Sequence, residues 1–247
     1  MDPAIILLLA LAALCGGFTQ GLAGFGSTLV ALPLLALVLD LRVAVPVCCL
    51  LAIAINIILT SRLRGHIVWP ALALLIGASL PGMVIGTHLL RSVPGDLLKG
   101  ALGAAVLVFV AGGLRGRKRT GRAGRRTALA AGFLAGCMGG AIGVNGPPIA
   151  AWVSRQGYDR FAARATMTAY FLLAGIGVVS SQYLAGLVTR EVLLKTAVAV
   201  PAMAVGLGLG MACCGRIGER TFSRIMLLVL GLSGASLVAQ ALLGMPG

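Results

Sequence analysis

Apolar residues in this chain fall in long blocks separated by short basic segments. The first block runs from Ala4 to Val38, and three more cover about Val43–Thr60, Ile67–Leu90 and Leu97–Leu114. A polar segment, Arg115–Arg126, carries seven Lys or Arg residues. The order then repeats, with a block near Thr127–Val153 and spans near Ala162–Leu187, Val192–Cys214 and Ser223–Leu243. Blocks of this length predict membrane-spanning helices, and the whole chain reads as an all-α polytopic membrane protein. The predicted units are an N-terminal membrane repeat (1–114), a linker (115–126) and a C-terminal membrane repeat (127–247).

The opening block of each half is too long, or too rich in glycine, to be one straight helix. As a helix, 4–38 would reach about 50 Å, against a hydrocarbon core of roughly 30 Å. It must break, and Gly16-Gly17 and Gly21–Gly26 are the predicted places. The second half has GFLAGCMGGAIGVNGPPI from Gly132 to Ile149. The two stretches align, with Gly17, Phe18, Gly21, Gly24 and Pro33 falling on Gly132, Phe133, Gly136, Gly139 and Pro148. Further on, Pro81-Gly-Met parallels Pro201-Ala-Met, and Lys99 lines up with Arg224. Matches in the same order among elements of the same order argue for duplication.

Composition narrows the class. Of 247 residues, 59% are hydrophobic and 11% charged, with a mean hydropathy of +1.04. So little charge cannot cover a soluble surface. The net charge of +14 resides in short loops, where basic residues orient spans and meet anionic headgroups. The lipid bilayer is therefore the expected partner, and no exposed basic domain with stacking aromatics points to nucleic acid. Cys15, Cys48, Cys49, Cys137, Cys213 and Cys214 form no C-x-x-C pair and lack histidine at metal spacing, so no metal or cofactor is expected. They read as small packing residues.

The basic residues also set the topology. If each broken segment crosses once, alternate sides hold 11 and 9 Lys or Arg. If each is a hairpin leaving on the side it entered, the sides hold 15 and 5. The second arrangement obeys the positive-inside rule. It makes each half a broken or re-entrant hairpin followed by three spans: eight elements, or ten helices with each hairpin counted as two. Both termini lie outside, linker 115–126 is cytoplasmic, and the halves are inverted repeats. A re-entrant hairpin and two short crossings give the same count.

Backbone groups freed by a break must face protein or water, not lipid. Paired breaks in two inverted halves point to a transporter's site near the midplane. Helices are predicted to restart near Gly26-Ser27-Thr28 and at Asn145-Gly146-Pro147-Pro148, with Asn145 as N-cap and Pro147 in the first turn. Two facing N-termini make an anion site. Gln20, Ser27, Thr28 and Asn145 add donors. Gly24, Gly26, Gly140, Gly143 and Gly146, with Phe25 between the first two, let backbone approach a small ligand. Asn56, Arg164, Thr166 and Tyr170 are positioned to line a cavity, although hydroxyls in such helices more often bond a nearby carbonyl. Gly82/Gly86, Gly206/Gly210, Gly17, Gly21, Gly132 and Gly136 are assigned to helix packing. All six acidic residues lie in tails or loops, so no span offers a carboxylate for a proton relay. No nucleophile or nucleotide motif suggests an enzyme.

GFTQGLAGFGSTLVALPLL and GGAIGVNGPPI, with the paired halves and basic linker, resemble the sulfite exporter TauE/SafE family of permeases over essentially the whole chain. The resemblance implies transport of sulfur-containing anions such as sulfite, thiosulfate or organosulfonates across the bacterial inner membrane. Physical reasoning adds a direction: an anion leaving a negative cytoplasm needs no coupling ion, which favours export by alternating access. The alternatives are an importer coupled to protons or sodium and a non-transporting membrane scaffold. An ATPase-coupled permease subunit would need a cytoplasmic coupling loop, and the arginine-rich linker reads as a tether. A homo-oligomer is compatible with the sequence.

Overall fold

The computed structural model describes residues 3–115, 124–213, 231, 234–239 and 241–242. Among these the chain is entirely helical, with no strand. The first half comprises α1 (Pro3–Ala23), α2 (Ser27–Leu35), α3 (Leu41–Leu63, followed by a 3-10 turn, Arg64–His66), α4 (Trp69–Ser92) and α5 (Gly95–Arg115). The second comprises α6 (Arg125–Ile142), α7 (Gly146–Val153), α8 (Arg160–Leu184) and α9 (Arg190–Cys213). Most of linker 115–126, and Arg224 with most of the last predicted span, lie outside the described residues. Six helices, α1, α3, α4, α5, α8 and α9, are long and apolar enough to cross a membrane. Large side chains on their outer faces, such as Val84, Leu97 and Leu184, are exposed, as lipid contact requires. The protein is a multi-pass membrane protein.

Helix ends follow local chemistry. Asp40 and Asp159 cap α3 and α8, accepting from the N–H of Arg42 and from those of Phe161 and Ala162. The N–H groups of Ala162 and Phe161 hold the Asp159 carboxyl below the usual carboxylate range. At the ends of α1 and α6 the chain turns through Gly24 (φ 83°) and Gly143 (φ 66°). Their N–H groups reach back to the carbonyls of Gln20 and Gly139, and a side chain would be strained in that left-handed conformation.

One expectation fails at Gly16-Gly17. Both lie inside an unbroken α1, and the break falls at Gly24–Gly26 alone. Gly16-Gly17 are helical because their missing side chains admit a neighbour. A β-carbon on Gly17 would collide with the Met203 carbonyl, and one on Gly21 would lie 2.6 Å from the Leu207 carbonyl oxygen. On the facing helix, Gly206 and Gly210 have no room against the Leu14 and Phe18 carbonyls. The same lock joins α4 to α6: Gly82 and Gly86 abut Phe133 and Cys137, while Gly136 and Gly140 abut Ser79 and Met83. Close backbone approach through small residues is how helices adhere in lipid, where apolar faces gain nothing by association alone.

The seams repeat their own pattern every four residues. Gly17 meets Met203 as Gly136 meets Ser79 and also as Gly132 meets Leu75, so these contacts fit both registers of the repeat. The turn glycines Gly24 and Gly143, which end α1 and α6, set Gly17 against Gly136. Exchanging the halves maps the pair α1 and α9 onto α6 and α4, while the pair α3 and α8 maps onto itself.

Replacing Gly206 or Gly86 by alanine should lower stability by about 1–3 kcal/mol, the usual effect of overpacking. Gly208→Ala and Gly77→Ala, on the same helices but with nothing within 4 Å, should be neutral or slightly stabilising. Thermal unfolding in detergent of all four variants checks the contrast.

Candidate functional site

The two breaks come together. A cavity of about 40 Å³ lies between them, bordered by Gly26, Ser27, Thr28 and Leu29 from the first and Gly143, Val144, Asn145 and Gly146 from the second. Gln20 of α1, Gly139 of α6, Cys49, Ala52 and Asn56 of α3, and Phe171, Gly175 and Val178 of α8 complete the wall. On a scale where one water needs about 10–15 Å³, the space suits a few waters or one small oxyanion. The N-termini of α2 and α7 both open on it. A β-carbon on Gly143 would touch Thr28 at 3.3 Å, and one on Gly146 would touch Phe25 at 3.8 Å.

A chain of hydrogen bonds orients the polar wall. The Ser27 N–H, at the start of α2, donates to Gln20 Oε1 at 3.3 Å. Gln20 Nε2 donates to Asn56 Oδ1 at 2.7 Å, and Asn56 Nδ2 donates to the Ala52 carbonyl at 2.8 Å. Gln20 thus supplies from α1 the cap that Gly26, having no side chain, cannot give to α2. Gln20 and Asn56 are 2% and 1% exposed, so the chain satisfies groups that would otherwise be costly to bury. Each carboxamide nitrogen has a second N–H beyond the one in the chain.

Asn145 occupies the N-cap position of α7, but its side chain makes no capping bond, which corrects the expected role. It sits in the cavity wall instead. Pro147 lies in the first turn of α7 as expected. It and Pro148 have no N–H, so the helical donor α7 can offer there is the Gly146 amide.

Of the other predicted residues, Gly24, Phe25, Gly140, Pro147, Arg164, Thr166 and Tyr170 do not border the cavity. Gly140 packs on Met83. Arg164 lies over Gly24 and donates from Nη2 to the Gly21 carbonyl at 2.7 Å, placing a cation at the C-terminal end of α1. Thr166 accepts from the Val68 N–H, just ahead of α4. Tyr170 is fully buried and joined through its hydroxyl to Ser79, which also reaches the Leu75 and Gly132 carbonyls. These polar groups tie helices together.

Sequence reasoning missed Leu29, Gly139 and Val144, which neighbour predicted residues, and Cys49, Ala52, Phe171, Gly175 and Val178. Only the α3–α8 packing brings the last five to the site. One signal was available: Asp40 and Asp159 cap equivalent helices, and counting from them pairs Asn56 with Gly175 and Ala52 with Phe171.

Comparison with known proteins agrees with this architecture. The family description "Sulfite exporter TauE/SafE" matches residues 9–237. The chain belongs to the TauE/SafE family. It is a membrane transporter and not an enzyme. It is similar to the "Probable sulfite/organosulfonate exporter TauE" of Cupriavidus necator, with 28% identity over 181 residues, 72% of this chain and 71% of that protein. No solved structure matches it.

Removing the Gln20 carboxamide tests the wiring. Gln20→Leu should lose a cap worth about 1 kcal/mol and orphan Asn56 Oδ1 at a further cost of about 1–3 kcal/mol. The double variant Gln20→Leu/Asn56→Leu should be less unstable than the sum of the singles. Unfolding of the four proteins in detergent gives the coupling energy.

Proposed function

We propose that the protein exports small sulfur oxyanions, sulfite or organosulfonates, across the bacterial inner membrane. The anion binds between the N-termini of α2 and α7. One observation carries this reading: both helix starts border one small cavity whose remaining polar side chains are carboxamides, hydroxyls and the Cys49 thiol. N–H dipole ends and neutral donors suit an anion that must bind and leave again. The family and the Cupriavidus relative support the sulfur class.

In this reading residues 1–114 and 127–247 are inverted repeats, joined by a cytoplasmic linker at 115–126, with both termini outside. The Lys and Arg distribution and the exchange of packing partners between halves support it. Alternating access exposes the cavity to one side of the membrane and then the other. Each negative charge leaving gains about 2.3 kcal/mol per 100 mV, so export requires no coupling ion. Gln20, Ser27, Thr28, Asn56 and Asn145 hold the anion. Gly26, Gly143 and Gly146 admit it to the backbone.

Sulfite efflux from proteoliposomes should follow an imposed membrane potential without a proton or sodium gradient. Asn145→Asp, an isosteric change that places negative charge in the wall, should lower flux at least tenfold while the protein still folds. A strict need for a proton or sodium gradient would favour coupled import. No sulfite flux above that of protein-free liposomes would favour the scaffold alternative, and unchanged flux in both Asn145→Asp and Ser27→Ala would place the anion site elsewhere.

A further inference from the structure

The cavity wall has a pattern that bears on charge. Asp40 and Asp159 cap α3 and α8 at equivalent points, and Gly24 and Gly143 end α1 and α6 at equivalent points. Counting from these markers, Gln20 of the first half corresponds to Gly139 of the second, Asn56 to Gly175, and Asn145 to Gly26. All six border the cavity. At each paired position one half supplies a carboxamide and the other a glycine. The duplicated scaffold thus places three neutral amides around a space that the glycines leave open, and among the described residues no cationic side chain borders it.

From this we infer that the site accepts singly charged oxyanions and rejects doubly charged ones; the inference rests on the anion-transport reading above. The cost of taking an ion out of water rises with the square of its charge, so a dianion incurs roughly four times the penalty of a monoanion. Neutral donors and two helix N-termini, each equivalent to about half a charge, can balance one negative charge and not two. For sulfite the bound species is hydrogen sulfite, which loses its proton near neutral pH. Sulfonates are monoanions throughout that range. Thiosulfate and sulfate are dianions and stay outside.

Titratable groups of the protein do not reproduce this dependence. Among the described residues, Cys49 is the ionisable side chain in the wall. On the surrounding helices Cys15, Cys48, Cys137, Tyr170 and Tyr183 lie outside the wall, as do the arginines at helix ends. Arg164 is held on the Gly21 carbonyl.

The test is binding to the full chain in detergent by thermal shift and calorimetry, from pH 6 to 9, with sulfite, methanesulfonate, thiosulfate and sulfate. Apparent sulfite affinity should fall about tenfold per pH unit above the proton loss of hydrogen sulfite, as the monoanion fraction does. Methanesulfonate affinity should stay flat, which controls for ionisation of Cys49. Thiosulfate and sulfate should bind at least tenfold more weakly than methanesulfonate. Flat sulfite affinity, or thiosulfate binding as tight as methanesulfonate, overturns monoanion selection and leaves the anion site standing. Failure of every anion to bind at every pH overturns both.

Discussion

A helix that ends inside a membrane leaves amides and carbonyls that lipid cannot satisfy. This constraint governs the arrangement of the chain. Both breaks, at Gly24–Gly26 and Gly143–Asn145, are turned inward on each other. Each receives a different remedy. At the first, Gln20 reaches over from α1 to accept the Ser27 N–H, and Arg164 reaches over from α8 to the Gly21 carbonyl. At the second, Gly143 and Val144 fold back on the Gly139 and Met138 carbonyls, while two prolines remove donors that would otherwise need partners. What the remedies leave over is a small polar cavity inside an apolar protein.

Holding two breaks together requires that the helices carrying them cannot slide. The glycine seams do this. α1 is locked to α9 and α6 to α4 by contacts so close that a methyl group has no room. Each seam joins one half to the other. The broken helices are therefore each anchored to a helix of the opposite half. In lipid, where apolar burial gives no drive for association, such seams carry much of the cohesion.

The site is balanced in geometry and unbalanced in chemistry. Two similar helical breaks bring two helix starts to one place. In the inverted-repeat reading each amide faces space at the paired position, Gln20 with Gly139, Asn56 with Gly175 and Asn145 with Gly26. A cavity with amides on both sides would be filled by its own side chains; glycine on both sides would leave nothing to recognise an anion.

Much was legible in the chain alone because the bilayer makes simple demands. Block length set the spans within a few residues, as α3 at Leu41–Leu63 against Val43–Thr60 illustrates. The glycine and proline clusters located both helix restarts. The tertiary structure alone decided which glycines break a helix and which pack one. Gly16-Gly17 and Gly24–Gly26 look alike in sequence, and only the neighbour at Met203 separates them. It also decided the roles of Arg164, Thr166 and Tyr170, whose partners lie on other helices. Local pattern determines where a helix can start and stop in a membrane. Which polar groups remain for a ligand depends on contacts between distant segments, which no local pattern records.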